Sequence, residues 1–257
     1  DTPLITTLNH AAARSAAANP VQSDLTPDAD AGRPTQGSVP EAPRLNLVAD
    51  ESSDYDPVAV AAASGVGARI TLAVLADDYV RLITEALAAT NSAALLLDTD
   101  RVSTFVRGSE QRIAEYLREL IAAASTSGHH LVAHLLLSRG CPGEVCGPVP
   151  PPAGDSVRLA VSGVWVQAQW SLYPLADPGA PALADGADHL APVWAAIERA
   201  RQDDTFLRSE HFVTTLAGDL SNVLGTVFRT WSAAGAAVAH VVSHLPLSVH
   251  SPSENLR

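Results

Sequence analysis

The sequence predicts an α+β chain built as tandem βαββαβ repeats. Each repeat is read as a four-stranded antiparallel sheet backed by two helices, the ferredoxin-like arrangement. Three observations predict it. From about residue 64 onward, strand and helix patterns alternate in the order β-α-β-β-α-β, and the same order then recurs. The second copy follows the first at an offset of 110: HLVAHLLLS (130–138) matches HVVSHLPLS (240–248), Gly108 falls on Gly218, and Thr104 on Thr214. Finally, LSRGCPGE (137–144) and LSVHSPSE (247–254) close the two copies alike, each with a proline where a last strand must end.

The elements follow in order. ARITLAVL (68–75) is a short β-prone run, and the Asp77-Asp78 pair after it supplies a helix start. Tyr79, Leu82, Ile83, Ala86 and Leu87 recur at helical spacing, so 78–89 reads as an amphipathic helix. ALLLDT (94–99) and VSTFVR (102–107) flank Asp100-Arg101 as a hairpin. Ile113, Tyr116, Leu117, Leu120 and Ile121 share one face of a second helix at 109–125, and 129–138 returns as a strand. In the second copy, 166–175 is a strand, 189–202 a helix, 205–209 and 211–216 a hairpin, 219–235 a helix and 239–248 a strand. Its first strand matches at an offset of 100, Leu72 on Leu172, because ADPGAPALADGAD (176–188) adds about ten residues. Pro246 lacks an amide donor and is expected on an edge strand.

The domain reading is therefore a first repeat at 64–144, a Pro-rich linker at 145–162 and a second repeat at 163–257. Residues 1–57 are rich in Pro, Ala, Ser, Thr and Asp without a sustained apolar period, and are read as a disordered acidic tail. A net charge of −12 argues against nucleic-acid and anionic-membrane partners, which are bound through clustered cations. No apolar run reaches the ~18 residues of a membrane span, so a soluble, cytoplasmic protein is expected, with no membrane insertion. Cys141 and Cys146 do not have redox or zinc spacing and are read as ordinary thiols.

The histidines form two H-x-x-x-H pairs, His130/His134 and His240/His244. On a strand, residues four apart lie about 13 Å from each other, too far to share one metal. They are read as structural, half-buried between sheet layers, and no metal site is expected. Motifs for an activated serine, a phosphate loop or a dinucleotide fold are missing, so the expectation is a binding module without catalytic residues or cofactor. The hairpins DTDRVSTFVRG (98–108) and LRSEHFVTTLAG (207–218) carry small hydroxyl residues beside Asp, Glu or His. Such hydroxyls can donate to or accept from the ring nitrogens and amino group of a heterocycle.

At these residues the sequence resembles the YkoF family of hydroxymethylpyrimidine/thiamine-binding proteins. The stretches that carry the resemblance are DDYVRLITEALAATNS, VSTFVRGS, SRGCPGE, WSLYPLADP, SEHFVTTLAGD and LPLSVHSPS, in order across 65–256. The resemblance implies tandem ferredoxin-like (ACT-like) domains, a homodimer, and a non-catalytic thiamine or hydroxymethylpyrimidine site in each repeat, serving as carrier or sensor in thiamine salvage or uptake. It implies Leu72 and Thr104 for the first site and Leu172 and Thr214 for the second, with Ser103, Tyr173 and His211 as neighbours. The second repeat has SLYP at 171–174 where the first has TLAV at 71–74, so an aromatic ring is available to only one site. The competing expectation is an ACT-like assembly protein with a vestigial pocket.

Overall fold

A computed structural model describes residues 65–147, 151–175 and 190–253, together with positions 59 and 63. The expected tail at 1–57 and the inserted 176–188 lie outside the described residues. The first repeat contains β1 (Gly67–Val74), α1 (Tyr79–Ala89), β2 (Leu96–Thr99), β3 (Thr104–Arg107), α2 (Glu110–Ser125) and β4 (Leu131–Arg139). The second contains β5 (Trp165–Leu175), α3 (Ala191–Gln202), β6 (Phe206–Glu210), β7 (Val213–Asp219), α4 (Leu220–Ala237) and β8 (His240–Val249). Local chemistry accounts for two of the four described helix starts, while Asp78 before α1 makes no capping bond. The Ser109 side chain accepts a hydrogen bond from the Arg112 amide at the head of α2, and that of Asp219 accepts from the Ser221 amide at the head of α4. Burial pushes the Asp219 carboxyl up, but hydrogen bonds from Ser221, Ser162 and Gly163 outweigh it and hold the group below the ordinary carboxylate range.

The predicted four-stranded sheets are corrected to a single eight-stranded antiparallel sheet in the order β2-β3-β1-β4-β8-β5-β7-β6. Each repeat does end on an edge strand of its own half, but the two edges pair with each other, from Leu131↔Val249 to Arg139↔Val241. Such pairing satisfies amide and carbonyl groups that an edge would leave open. Pro246 therefore sits near the centre of the sheet, against the edge expected for it. It faces His134 in an unbroken β4–β8 ladder, while the β5–β8 ladder skips from Ala168↔Leu247 to Ser171↔His244. The missing donor costs pairing on the β5 side alone, and the sheet tolerates one local gap.

The four described helices cover one face, and α2 packs on α4 across the junction of the repeats. Alternation sends Leu131, Ala133, Leu135 and Leu137 of β4 into this layer with Val241, Leu245, Leu247 and Val249 of β8, all buried. Trp231, Tyr116 and Phe228 are the largest fully buried side chains, and the Trp231 indole donates to the Val241 carbonyl at 3.2 Å. Burying each such leucine-sized side chain contributes about 1.5–3 kcal/mol. The linker is packed as well: Val157 is fully buried, and the Ala153 amide donates to the Glu110 carboxylate at 2.8 Å.

Among the described residues the other sheet face carries no helix. The histidines lie there along the β4–β8 seam, so the expected burial between layers is corrected. His130 hydrogen-bonds Ser248 at 2.9 Å, and its counterpart His240 bonds Ser138 at 3.4 Å. Between these pairs the rings of His134 and His244 stack with centroids 6.2 Å apart. Burial, and then the neighbouring His134, hold the His244 imidazole below its usual value.

Candidate binding site

Each hairpin folds so that a hydroxyl pair faces the helices. Thr104 on β3 meets Thr99 on β2 with oxygens 3.0 Å apart, and Thr214 on β7 meets Ser209 on β6 at 3.2 Å. Both threonines are buried at 7% exposure. The neighbouring first strands place Ile70 opposite Thr104 and Trp170 opposite Thr214. Leu72 and Leu172 lie two residues further along and face the same layer. The structure thus brings Leu72 with Thr104, and Leu172 with Thr214, into equivalent positions.

In the second repeat these residues border a cavity of about 300 Å³ between the sheet and α3. Leu172, Tyr173, His211 and Thr214, all four expected for this site, line it, and so do Trp194 and Phe212. Its volume lies at the small end of the ~300–1,000 Å³ typical of ligand sites. Trp170 forms part of the wall, and its indole donates to the Ser243 hydroxyl at 2.8 Å, which fixes the ring. Val193, Ala196 and Ile197 of α3 add aliphatic surface. Thr214 and Ser209 therefore offer hydroxyls at the edge of a largely apolar hollow that Ser171, Glu210 and His211 also border, where hydrogen bonds are worth most and unmet groups cost most.

The first hairpin turns differently. Asp100 accepts from the amides of Val102 at 2.7 Å and Ser103 at 2.8 Å, while Arg69 donates to both Asp100 and the Ser103 hydroxyl at 2.9 Å. The backbone donors of Ser103 and Val102, aided by Arg69, hold the Asp100 carboxyl below the ordinary range. Ser103 is consequently turned to the helix-free face, away from Thr104. Its expected place beside the first site does not match the fold, because adjacent strand residues point to opposite faces. At the equivalent turn of the second repeat, His211 and Phe212 have φ of 48° and 73°, and Phe212 is fully exposed.

Sequence reasoning missed Trp194, Phe212 and the Thr99 and Ser209 partners. A phenylalanine in a hairpin turn of a chain with only four was the available signal. A larger hollow, about 550 Å³, lies on the helix-free face beside Trp165, Gln167 and Ser248, but contains none of the hairpin hydroxyls. Among the described residues no group of three His, Cys, Asp or Glu is placed to hold a metal ion, and no helix is long and apolar enough to cross a membrane.

Two similarities to known sequences bear on this geometry. The family described as "YKOF-related Family" matches twice, over residues 65–144 and 165–254. The Bacillus subtilis (strain 168) protein named "Putative HMP/thiamine-binding protein YkoF" is 29% identical over 196 residues, covering 74% of this chain and 93% of that protein. The two matched segments coincide with the two halves of the sheet.

Proposed function

The chain belongs to the YkoF-related family, and from that premise we propose that it binds thiamine or its hydroxymethylpyrimidine moiety reversibly, with no catalytic step. The observation that carries this reading is the second-repeat cavity, where Thr214 and Ser209 supply hydroxyls between apolar walls. An aminopyrimidine needs that combination: ring nitrogens and an amino group to be read at the edge, and flat faces to be covered. Thiamine is also a cation, and a net charge of −12 favours its approach. The name of the Bacillus subtilis relative supports the same ligand class. In this reading Leu72 and Thr104 serve the first site, Leu172, Tyr173, His211 and Thr214 the second, and the protein acts as a cytoplasmic carrier or sensor in thiamine salvage or uptake.

Isothermal titration with thiamine and with free hydroxymethylpyrimidine tests the proposal, and absence of heat at millimolar ligand overturns it. Thr214→Val is expected to weaken one site by about 1–3 kcal/mol, since it leaves polar groups of ligand and protein unmet. Unchanged affinity would place the ligand elsewhere. We also propose a homodimer. The helix-free sheet face exposes Leu136, Trp165 and Leu175, which a second copy would cover. Sedimentation velocity over a dilution series is expected to show a dimer, and a monomer throughout removes this part of the reading.

A further inference from the structure

The two hairpin sites share their hydroxyl pairs but not their rims. At the offset of 110, the aliphatic wall is kept: Ile83, Ala86 and Leu87 of α1 correspond to Val193, Ala196 and Ile197 of α3. Ala86 and Ala196 are each 3% exposed, which fixes the register of the comparison. The outward positions diverge. Trp194 stands where the first repeat has Thr84, and Phe212 where it has Val102. Neither ring serves the core. Trp194 is 60% exposed and Phe212 fully exposed, yet both border the cavity.

The backbone holds Phe212 outward at a cost. Its φ of 73° follows 48° at His211, a left-handed pair that glycine or asparagine adopts far more readily than a bulky aromatic. A strained, solvated phenylalanine at a cavity mouth gains nothing for folding. Aromatic faces do attract cations, through the negative potential above the ring, and methylated or quaternary nitrogen is the ion they suit best.

We infer that Trp194 and Phe212 form an aromatic rim on the second-repeat cavity that receives a cationic ring of the ligand, so that this site selects a two-ring cation over its neutral pyrimidine half. The inference rests on the thiamine reading above and specifies which part of the ligand each group of residues meets. Thr214 and Ser209 read the pyrimidine inside, while Trp194 and Phe212 cover the thiazolium at the mouth. The first repeat, with Thr84 and Val102, has no such preference.

The test uses the full chain with thiamine and hydroxymethylpyrimidine as separate titrants. Phe212→Gly suits the positive φ and removes an exposed ring, so the fold is preserved. Trp194→Ala is likewise an exposed change, and its fluorescence loss assigns the titration to this site. Each variant is expected to lose about tenfold in thiamine affinity at one site, the loss of one good cation–π contact, while hydroxymethylpyrimidine binds as before. Equal weakening of both compounds, or of neither, overturns the rim while leaving the thiamine reading intact. A wild-type chain that binds neither compound overturns the thiamine reading, and the inference with it.

Discussion

Glu110 and Leu220 open equivalent helices in the two repeats, and Arg139 and Val249 close equivalent strands. In the second repeat the position is filled by two buried apolar side chains, each at 0% exposure. In the first it holds a buried ion pair: the Arg139 guanidinium meets the Glu110 carboxylate at 2.6 Å, with exposures of 3% and 4%. The difference lies in what each must reach. Glu110 also accepts from the Ser232 hydroxyl of α4 and from the Ala153 amide of the linker, so it ties the first repeat to the second and to the chain between them. The Leu220 side chain is fully buried and makes no such polar tie. Gly235 on α4 leaves room for the arginine, since a Cβ there would lie 2.6 Å from the Arg139 Cδ.

This contrast can be broken at several strengths. Glu110→Ala should be the most damaging, at about 3–5 kcal/mol in urea unfolding, because the buried Arg139 guanidinium loses the Glu110 carboxylate. Placing the second repeat's residues in the first, Glu110→Leu with Arg139→Val, should recover most of that loss, as apolar replacements of buried pairs commonly do. A double variant no better than the single would show that the tie to Ser232 and Ala153, rather than the charge, carries the stability. Gly235→Ala comes next. Alanine normally gains about 1 kcal/mol over glycine within a helix, but here the methyl meets a buried arginine, and a loss of about 1–3 kcal/mol is expected from overpacking. A gain would mean that Arg139 is free to move aside.

The smallest effect concerns the seam. His244 is held below the usual imidazole value of 6.5 by burial and by His134, so the folded state binds its proton less readily than the unfolded chain. Stability from this group is full above that ordinary value and is lost as pH falls through the lowered one. His244→Asn should flatten that part of the stability profile measured by denaturant titration from neutral to acid pH. An unaltered slope would assign the acid sensitivity to other groups.

The duplication, its offset and nearly every element could be read from the sequence, because periodicity and spacing are local and occur twice. The joining of the two halves could not. Nothing in Leu131–Arg139 or His240–Val249 says whether their outer amides meet water or one another, and Pro246 misled for that reason. A proline removes one donor from one side, so it marks a gap in a ladder rather than the rim of a sheet. The site was legible only in part. The offset aligns Thr104 with Thr214, but the assignment of these two, with Leu72, Leu172, Tyr173 and His211, to a site came from the family resemblance. Ser103 was misplaced because one position along a strand reverses the face, and here the reversal is fixed by Arg69 and Asp100. Trp194 escaped notice because it comes from a helix distant in sequence from the hairpin whose cavity it borders.

The β4–β8 seam has a further consequence. It pairs the same strand of each repeat in antiparallel fashion, as two separate copies of one repeat would do around a twofold axis. In such a symmetric pair every substitution appears twice, and each half must tolerate it. Once the two copies share one polypeptide, a change in one no longer commits the other. That independence is what allows a buried charge in one half and a leucine in the other, or Thr84 and Val102 in one half where the other has Trp194 and Phe212.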